Sequence, residues 1–216
     1  SRQEGIRRLG SWTRPREPIA LPPDAPTSPP VVSRSVAREL TQATLYLGRP
    51  AIRQDHPDYY LLVVANYILG GGSASRLYST VRENAGLAYS VFSHLSPGRY
   101  GSSLVVGLQT RTDEAANALK LVREEAARMG REAVSPQELS MAKAYLVGSF
   151  PLRIDTTSKV AGLLVTVEEM GLGLDYPDRF KEQIENVTAA DVKRVSARYL
   201  DPETFSRVLV GKVTAP

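Results

Sequence analysis

The sequence contains no cysteine. Disulfides, thiolate metal sites and thiol catalysis are therefore excluded for this chain. Histidine is almost as scarce. His56 and His94 are the only two, with no His-x-x-x-His spacing and no acidic cluster around either. A metal site built by this chain alone is not expected on ligand chemistry. Two isolated histidines and no Gly-x-Ser-x-Gly leave no basis for a serine triad. Long hydrophobic runs are also missing. The longest, over 59–69, is interrupted by Asn66 and falls short of the roughly 20 residues that cross a bilayer. No signal peptide is visible in the polar, basic first residues, which leaves the compartment open. A dense basic run is lacking too. The net charge of +4 and pI near 9.4 would alone suggest a nucleic-acid module. The charges, however, are interleaved as Arg-Glu-Glu, Lys-Glu and Asp-Val-Lys-Arg, which predicts a solvated mixed surface and no nucleic-acid partner.

Proline is abundant in one place. Seven of the 15 prolines fall within 13–30. Proline fixes φ and removes an amide donor, so this stretch is extended and cannot be a central strand. Residues 1–30 are therefore expected to be the tail of an upstream domain followed by a linker, and 31–216 a folded domain. That domain is long enough to bury a full core, and the chain's 42% hydrophobic and 23% charged residues are ordinary for a globular protein.

Alternation of apolar and polar residues predicts strands over 31–37, 41–48, 87–95, 99–109 and 205–213. Ser96-Pro97-Gly98 marks a hairpin turn between the third and fourth. Helical spacing predicts helices over 58–69, with Pro57 as first helical residue, and over 75–84, 112–129, 156–170, 176–185 and 188–199. Ser135-Pro136-Gln137-Glu138 is a capping box that opens a further helix to about Ser149. Hairpin-joined strands with segregated helices give an α+β class with a mainly antiparallel sheet and helices packed on one side.

The segment 70–89 is the most informative. Gly70-Gly71-Gly72 ends an apolar helix and lacks the lysine and spacing of a phosphate loop. A short helix carrying Arg76 and Arg82 follows, Gly86 stops it, and Tyr89 opens a strand. A phenol and a guanidinium are hydrogen-bond donors suited to the negative charge that develops on a carbonyl oxygen under attack. The alternative is that Arg82 pairs with Glu83 or Glu125 and Tyr89 is an ordinary strand aromatic.

Several short segments occur in a specific order: His56-Pro57-Asp58-Tyr59-Tyr60, Leu69-Gly70-Gly71-Gly72, Ser75-Arg76-Leu77, Val81-Arg82-Glu83, Gly86-Leu87-Ala88-Tyr89-Ser90 and, after a helix that follows Val187-Thr188, Val210-Gly211. Together they resemble the non-zinc-binding half of the pitrilysin/insulinase family of zinc peptidases, and in particular bacterial processing-peptidase-like proteins of cytoplasm or periplasm. The proline-rich stretch after Trp12 resembles the family's linker between halves. The resemblance implies one half of a clam shell enclosing a chamber. Zinc is expected on a partner half with a His-x-x-Glu-His motif, which this chain lacks, either upstream or as a separate subunit. Arg82 and Tyr89 would hold and polarise a peptide substrate in the assembled metalloendopeptidase, and this chain alone would be inactive. A homo- or heterodimer is compatible with this. A structural or assembly subunit of the same fold, without a catalytic role, is the other reading.

Overall fold

The computed structural model describes residues 2–11, 20, 23, 25–26 and 29–212. Trp12, Pro15, Pro18, Pro22 and Val213, which figured in the linker and final-strand expectations, lie outside the described residues. The exposed helix α1 (Arg2–Leu9) precedes the sheet. The strands are β1 (Ser33–Ala37), β2 (Gln42–Ala51), β3 (Ala88–Ser96), β4 (Ser102–Arg111) and β5 (Ser206–Gly211). They form one sheet in the order β1-β5-β2-β4-β3. Only β1 and β5 run parallel, and every other pairing is antiparallel.

The sheet has two unlike faces. Leu45 and Leu47 of β2 and Leu104, Val106 and Leu108 of β4 alternate inward and are buried. Tyr46, Phe92 and Val208 are exposed on the other face, with Tyr46 and Phe92 in an edge-to-face pair. Period-two alternation thus separates a core face from a solvated one, as antiparallel sheets allow.

Helices cover the core face. Helix α2 (Tyr59–Gly70) carries no charged residue and buries Leu62, Val64, Ala65 and Leu69. Helices α3 (Ala115–Arg131), α4 (Pro136–Gly148), α6 (Tyr176–Glu185) and α7 (Ala189–Tyr199) complete the layer, burying Val122, Met129, Ala142, Phe180, Ile184 and Val195. Helix α5 (Thr157–Met170) is peripheral: it buries Val167 but leaves Val160, Leu164 and Val165 exposed. None of the helices among the described residues is long and apolar enough to cross a membrane.

Some boundaries differ from those expected. Pro57 lies before α2. Tyr59 N–H donates to the His56 carbonyl at 2.9 Å, so Pro57 belongs to a preceding turn and Asp58 is the N-cap. Strand β4 begins at Ser102 because Tyr100 turns its carbonyl to the Ala25 N–H at 2.6 Å, and the Ser102 hydroxyl takes the Gly98 N–H. The capping boxes at Ser135/Glu138 and Thr188/Asp191 are both formed. Gly70 marks a close approach: a Cβ there would lie 2.4 Å from the Ser93 nitrogen, so α2 can end tight against β3 only with glycine.

Asp58 joins the two ends of this layer. Its carboxylate is buried and accepts from Arg194 Nη2 at 2.9 Å and from the Tyr199 hydroxyl at 3.0 Å, while Arg198 lies 3.7 Å away. The Arg194 hydrogen bond, aided by Tyr199, holds this carboxyl below its ordinary range against the opposing effect of burial. Removing the carboxylate would leave the buried Tyr199 hydroxyl without its acceptor. Asp58→Ala is therefore expected to lower unfolding stability by about 2–4 kcal/mol, measured by urea denaturation at neutral pH.

Candidate functional site

Arg82 and Tyr89 lie on either side of a tightly held connection. The chain after α2 begins a helical turn at Arg76 and then widens: Tyr78–Asn84 is π-helical, with Ala85 N–H donating to the Thr80 carbonyl five residues back at 3.2 Å. Single π turns recur at functional sites because the extra residue changes where side chains project. An ordinary α-helical turn was the expectation here. The π turn is pinned from several sides. Leu77 and Val81 are fully buried, and Thr80 Oγ1 donates to Glu125 Oε1 at 3.2 Å. Arg76 forms a fork with Glu138: Nε to Oε1 at 2.6 Å and Nη2 to Oε2 at 3.0 Å.

Arg82 projects outward from this turn. Its guanidinium lies 4.8 Å from the centre of the Tyr78 ring, a stacking contact that leaves its donors available at the edge. Neither carboxylate considered from sequence holds it. Glu125 is occupied by Thr80 and by Arg128 at 2.8 Å, and among the described residues Arg82 forms no ion pair with Glu83.

Gly86 ends the turn with φ +62°, a left-handed conformation suited to glycine just past a helix end. Leu87 is then gripped twice. Its N–H donates to the Val81 carbonyl at 2.9 Å, and its carbonyl accepts from the buried Thr110 hydroxyl at 2.5 Å.

Tyr89 follows, and the ladder around it is irregular. Ala88 pairs with Thr110 and Ser90 with Gln109, so β3 carries one extra residue at Tyr89, a β-bulge. The bulge determines which way Tyr89 points. Val91, Ser93 and Leu95 face the core, and strict alternation would place residue 89 with them. The extra residue shifts the phase, so Ala88 is buried instead and Tyr89 is 74% exposed. β3 is an edge strand, so Tyr89 stands beside an outer strand of the sheet.

The bulge, the π turn and the roles of Arg76, Thr80, Thr110 and Glu138 were not anticipated. The Arg76-bearing segment and the capping box were each legible, but nothing in either announces that they meet. His56 and His94 lie on different elements, the turn before α2 and the solvated face of β3. Among the described residues no group of three or more His, Cys, Asp or Glu side chains could hold a metal ion. These residues do not fit a zinc site.

Comparison with known proteins places this chain in a family. The family model described as the peptidase M16 inactive domain matches residues 6–146. The uncharacterized zinc protease YmxG of Bacillus subtilis is 30% identical over 81% of this chain and 42% of its own length. The non-peptidase homolog YmxG of Helicobacter pylori is 29% identical over 72% of this chain and 36% of its own length. The chain thus spans about two-fifths of the length of these curated relatives. A crystal structure of a peptidase M16 inactive domain from Pseudomonas fluorescens superimposes with a TM-score of 0.88 at 30% identity, covering 100% of this chain and 52% of that one.

The fork from Arg76 depresses the Glu138 carboxyl from 4.5 to about 2, helped by the Ser135 N–H. A depressed carboxyl stabilises the fold above its unfolded value and loses that contribution as pH falls through its folded value. Glu138→Gln preserves the capping-box shape but not the charge. It is expected to cost about 1–3 kcal/mol at neutral pH. In an acid titration of thermal stability, the gap to the parent protein should close between about pH 4.5 and about 2.

Proposed function

Because the chain belongs to the peptidase M16 inactive-domain family, we propose that it is the substrate-binding half of a zinc metallopeptidase, completed by a half that carries the His-x-x-Glu-His motif. In this reading the metal and its attacking water belong to the other half, and no metal chemistry is assigned to this chain. The observation that carries the reading is the bulge at Tyr89. A tyrosine turned out of the core by an extra residue, on an edge strand and one short connection from an exposed arginine, suits an oxygen-binding pair better than a packing role.

Each side chain has a defined task. The Tyr89 hydroxyl donates a hydrogen bond to the scissile carbonyl oxygen, and its donation strengthens as negative charge grows there. Arg82 supplies a permanent positive charge and a fork of donors to the substrate main chain. The Tyr78 ring behind Arg82 limits the guanidinium's freedom, so less order must be gained when substrate arrives. Specificity for particular side chains is not implied, since main-chain atoms are the target. An extended peptide lying along the β3 edge would present its carbonyls in that way.

The name of the Helicobacter pylori relative, a non-peptidase homolog, favours a second reading as an assembly subunit without catalytic role. One experiment separates the two. The chain is combined with a family half that carries the His-x-x-Glu-His motif, and cleavage of a quenched fluorescent peptide is followed with added zinc. The mixture, and neither half alone, should be active. Tyr89→Phe should lower turnover by about 10²-fold while changing folding stability by less than about 0.5 kcal/mol, because the ring is exposed. A demonstrably formed complex that is inactive, or is unaffected by Tyr89→Phe, would establish the assembly reading.

A further inference from the structure

Near the end of β2, Arg49 is half-buried without a counter-ion. Its Nε donates to the Pro50 carbonyl at 3.2 Å, and its Nη1 to the Tyr199 carbonyl at 3.4 Å and the Thr204 hydroxyl at 2.7 Å. All three acceptors are neutral, and among the described residues no carboxylate lies within ion-pairing distance. Asp201 acts only at longer range, and burial disfavours the charged form. Nη2 has no hydrogen-bond partner among the described residues. A guanidinium held in this way favours an arriving anion, because the cost of desolvating the arginine has already been met.

The surroundings complete a site. Arg49 lines a cavity of about 640 Å³, within the size range of small-molecule pockets. His56 lines it as well. Its Nδ1 accepts the Asp58 N–H at 3.0 Å, so in the neutral ring Nε2 carries the proton and is a donor. Arg198 adds a second cation whose charge is only loosely met, since Asp58 lies 3.7 Å away and is already bonded to Arg194 and Tyr199. Arg53, by contrast, is matched by Asp55 at 3.0 Å. Apolar and aromatic surface from Pro26, Ile52 and Tyr100 lies alongside these donors. Ala25 and Pro26 form one wall, held by the Ala25 N–H bond to the Tyr100 carbonyl.

We propose that this cleft binds a small amphiphilic oxyanion, a phosphate ester or carboxylate with an apolar or aromatic body, with Arg49, Arg198 and His56 on the anionic group and Tyr100, Ile52 and Pro26 against the body. The site is separate from Arg82 and Tyr89, neither of which lines it. Its occupant would bridge β2 and α7 to Ala25 and Pro26.

The test is calorimetric titration of the 216-residue chain at low ionic strength with phenyl phosphate, benzoate and inorganic phosphate. Phenyl phosphate or benzoate should bind with a sub-millimolar Kd that weakens with added salt. Binding of the first alone identifies phosphate esters as the occupant, and of the second alone carboxylates. Arg49→Lys keeps the charge but loses the fork, and should weaken binding by about tenfold. Arg198→Gln, at an exposed position that does not endanger folding, should weaken it a few-fold, whereas Arg131→Gln outside the cleft should leave it unchanged. No binding at about 10 mM ligand, equal loss in Arg131→Gln, or inorganic phosphate binding as tightly as phenyl phosphate would overturn the proposal.

Discussion

The ion pair between Arg76 and Glu138 is the constraint on which the Arg82–Tyr89 segment depends. Arg76 is largely enclosed, with its side chain 11% exposed, and its Nη1 has no acceptor among the described residues. A guanidinium this buried must keep its one carboxylate partner or lose its place, because an unpaired buried charge is far more costly than an exposed one. Glu138 is itself immobilised, since the capping box fixes it at the start of α4. The π turn is thus fastened to a helix end that is already rigid, and Arg82 inherits that rigidity.

The second anchor is neutral. Leu87 is held by Val81 from one side and Thr110 from the other. It therefore couples the π turn to the sheet across Gly86, a residue whose conformation would otherwise leave the connection free to pivot. Charge fixes one end of the segment and main-chain hydrogen bonding the other. The backbone positions of Arg82 and Tyr89, between and beyond these anchors, are set by them, and the Tyr78 ring backs the Arg82 guanidinium. If the proposed peptide-binding role holds, a backbone fixed in this way would lower the ordering cost of receiving a ligand.

The elements of the fold were legible because their signals are local. Alternation in 102–108, the capping box at Ser135–Glu138, and glycine at 70–72 and 86 each report on a few neighbouring residues, and the structure has strands, caps and helix ends there. Charge-free α2 was readable as a buried helix for the same reason. What could not be read are the features set by pairing across the chain. The bulge at Tyr89 exists only relative to Gln109 and Thr110 on β4. Asp58 reads as a residue of the first turn of α2, yet it is the N-cap and its carboxylate turns to Arg194 and Tyr199, more than a hundred residues away. The displaced start of β4 follows from Ala25, in the proline-rich stretch that composition describes only as extended. At the candidate site the resemblance singled out Arg82 and Tyr89, while the reason Tyr89 is presented to solvent lies in the register of β3 on β4.

The parallel pairing of β1 with β5 has a kinetic consequence. Among the described residues, 33–37 have no neighbour in the sheet except 207–211, and the Val32 carbonyl is met by the Arg207 N–H. Strand β2 likewise lacks one of its two neighbours until β5 is in place. Loops of this length close slowly, and strand pairings that span them come late in folding. During synthesis β1 must therefore wait, unpaired, for almost the entire domain to be made. The β2–β4–β3 sheet and its helices can assemble first, and the arrival of the last strand then locks the chain's earliest strand onto the domain.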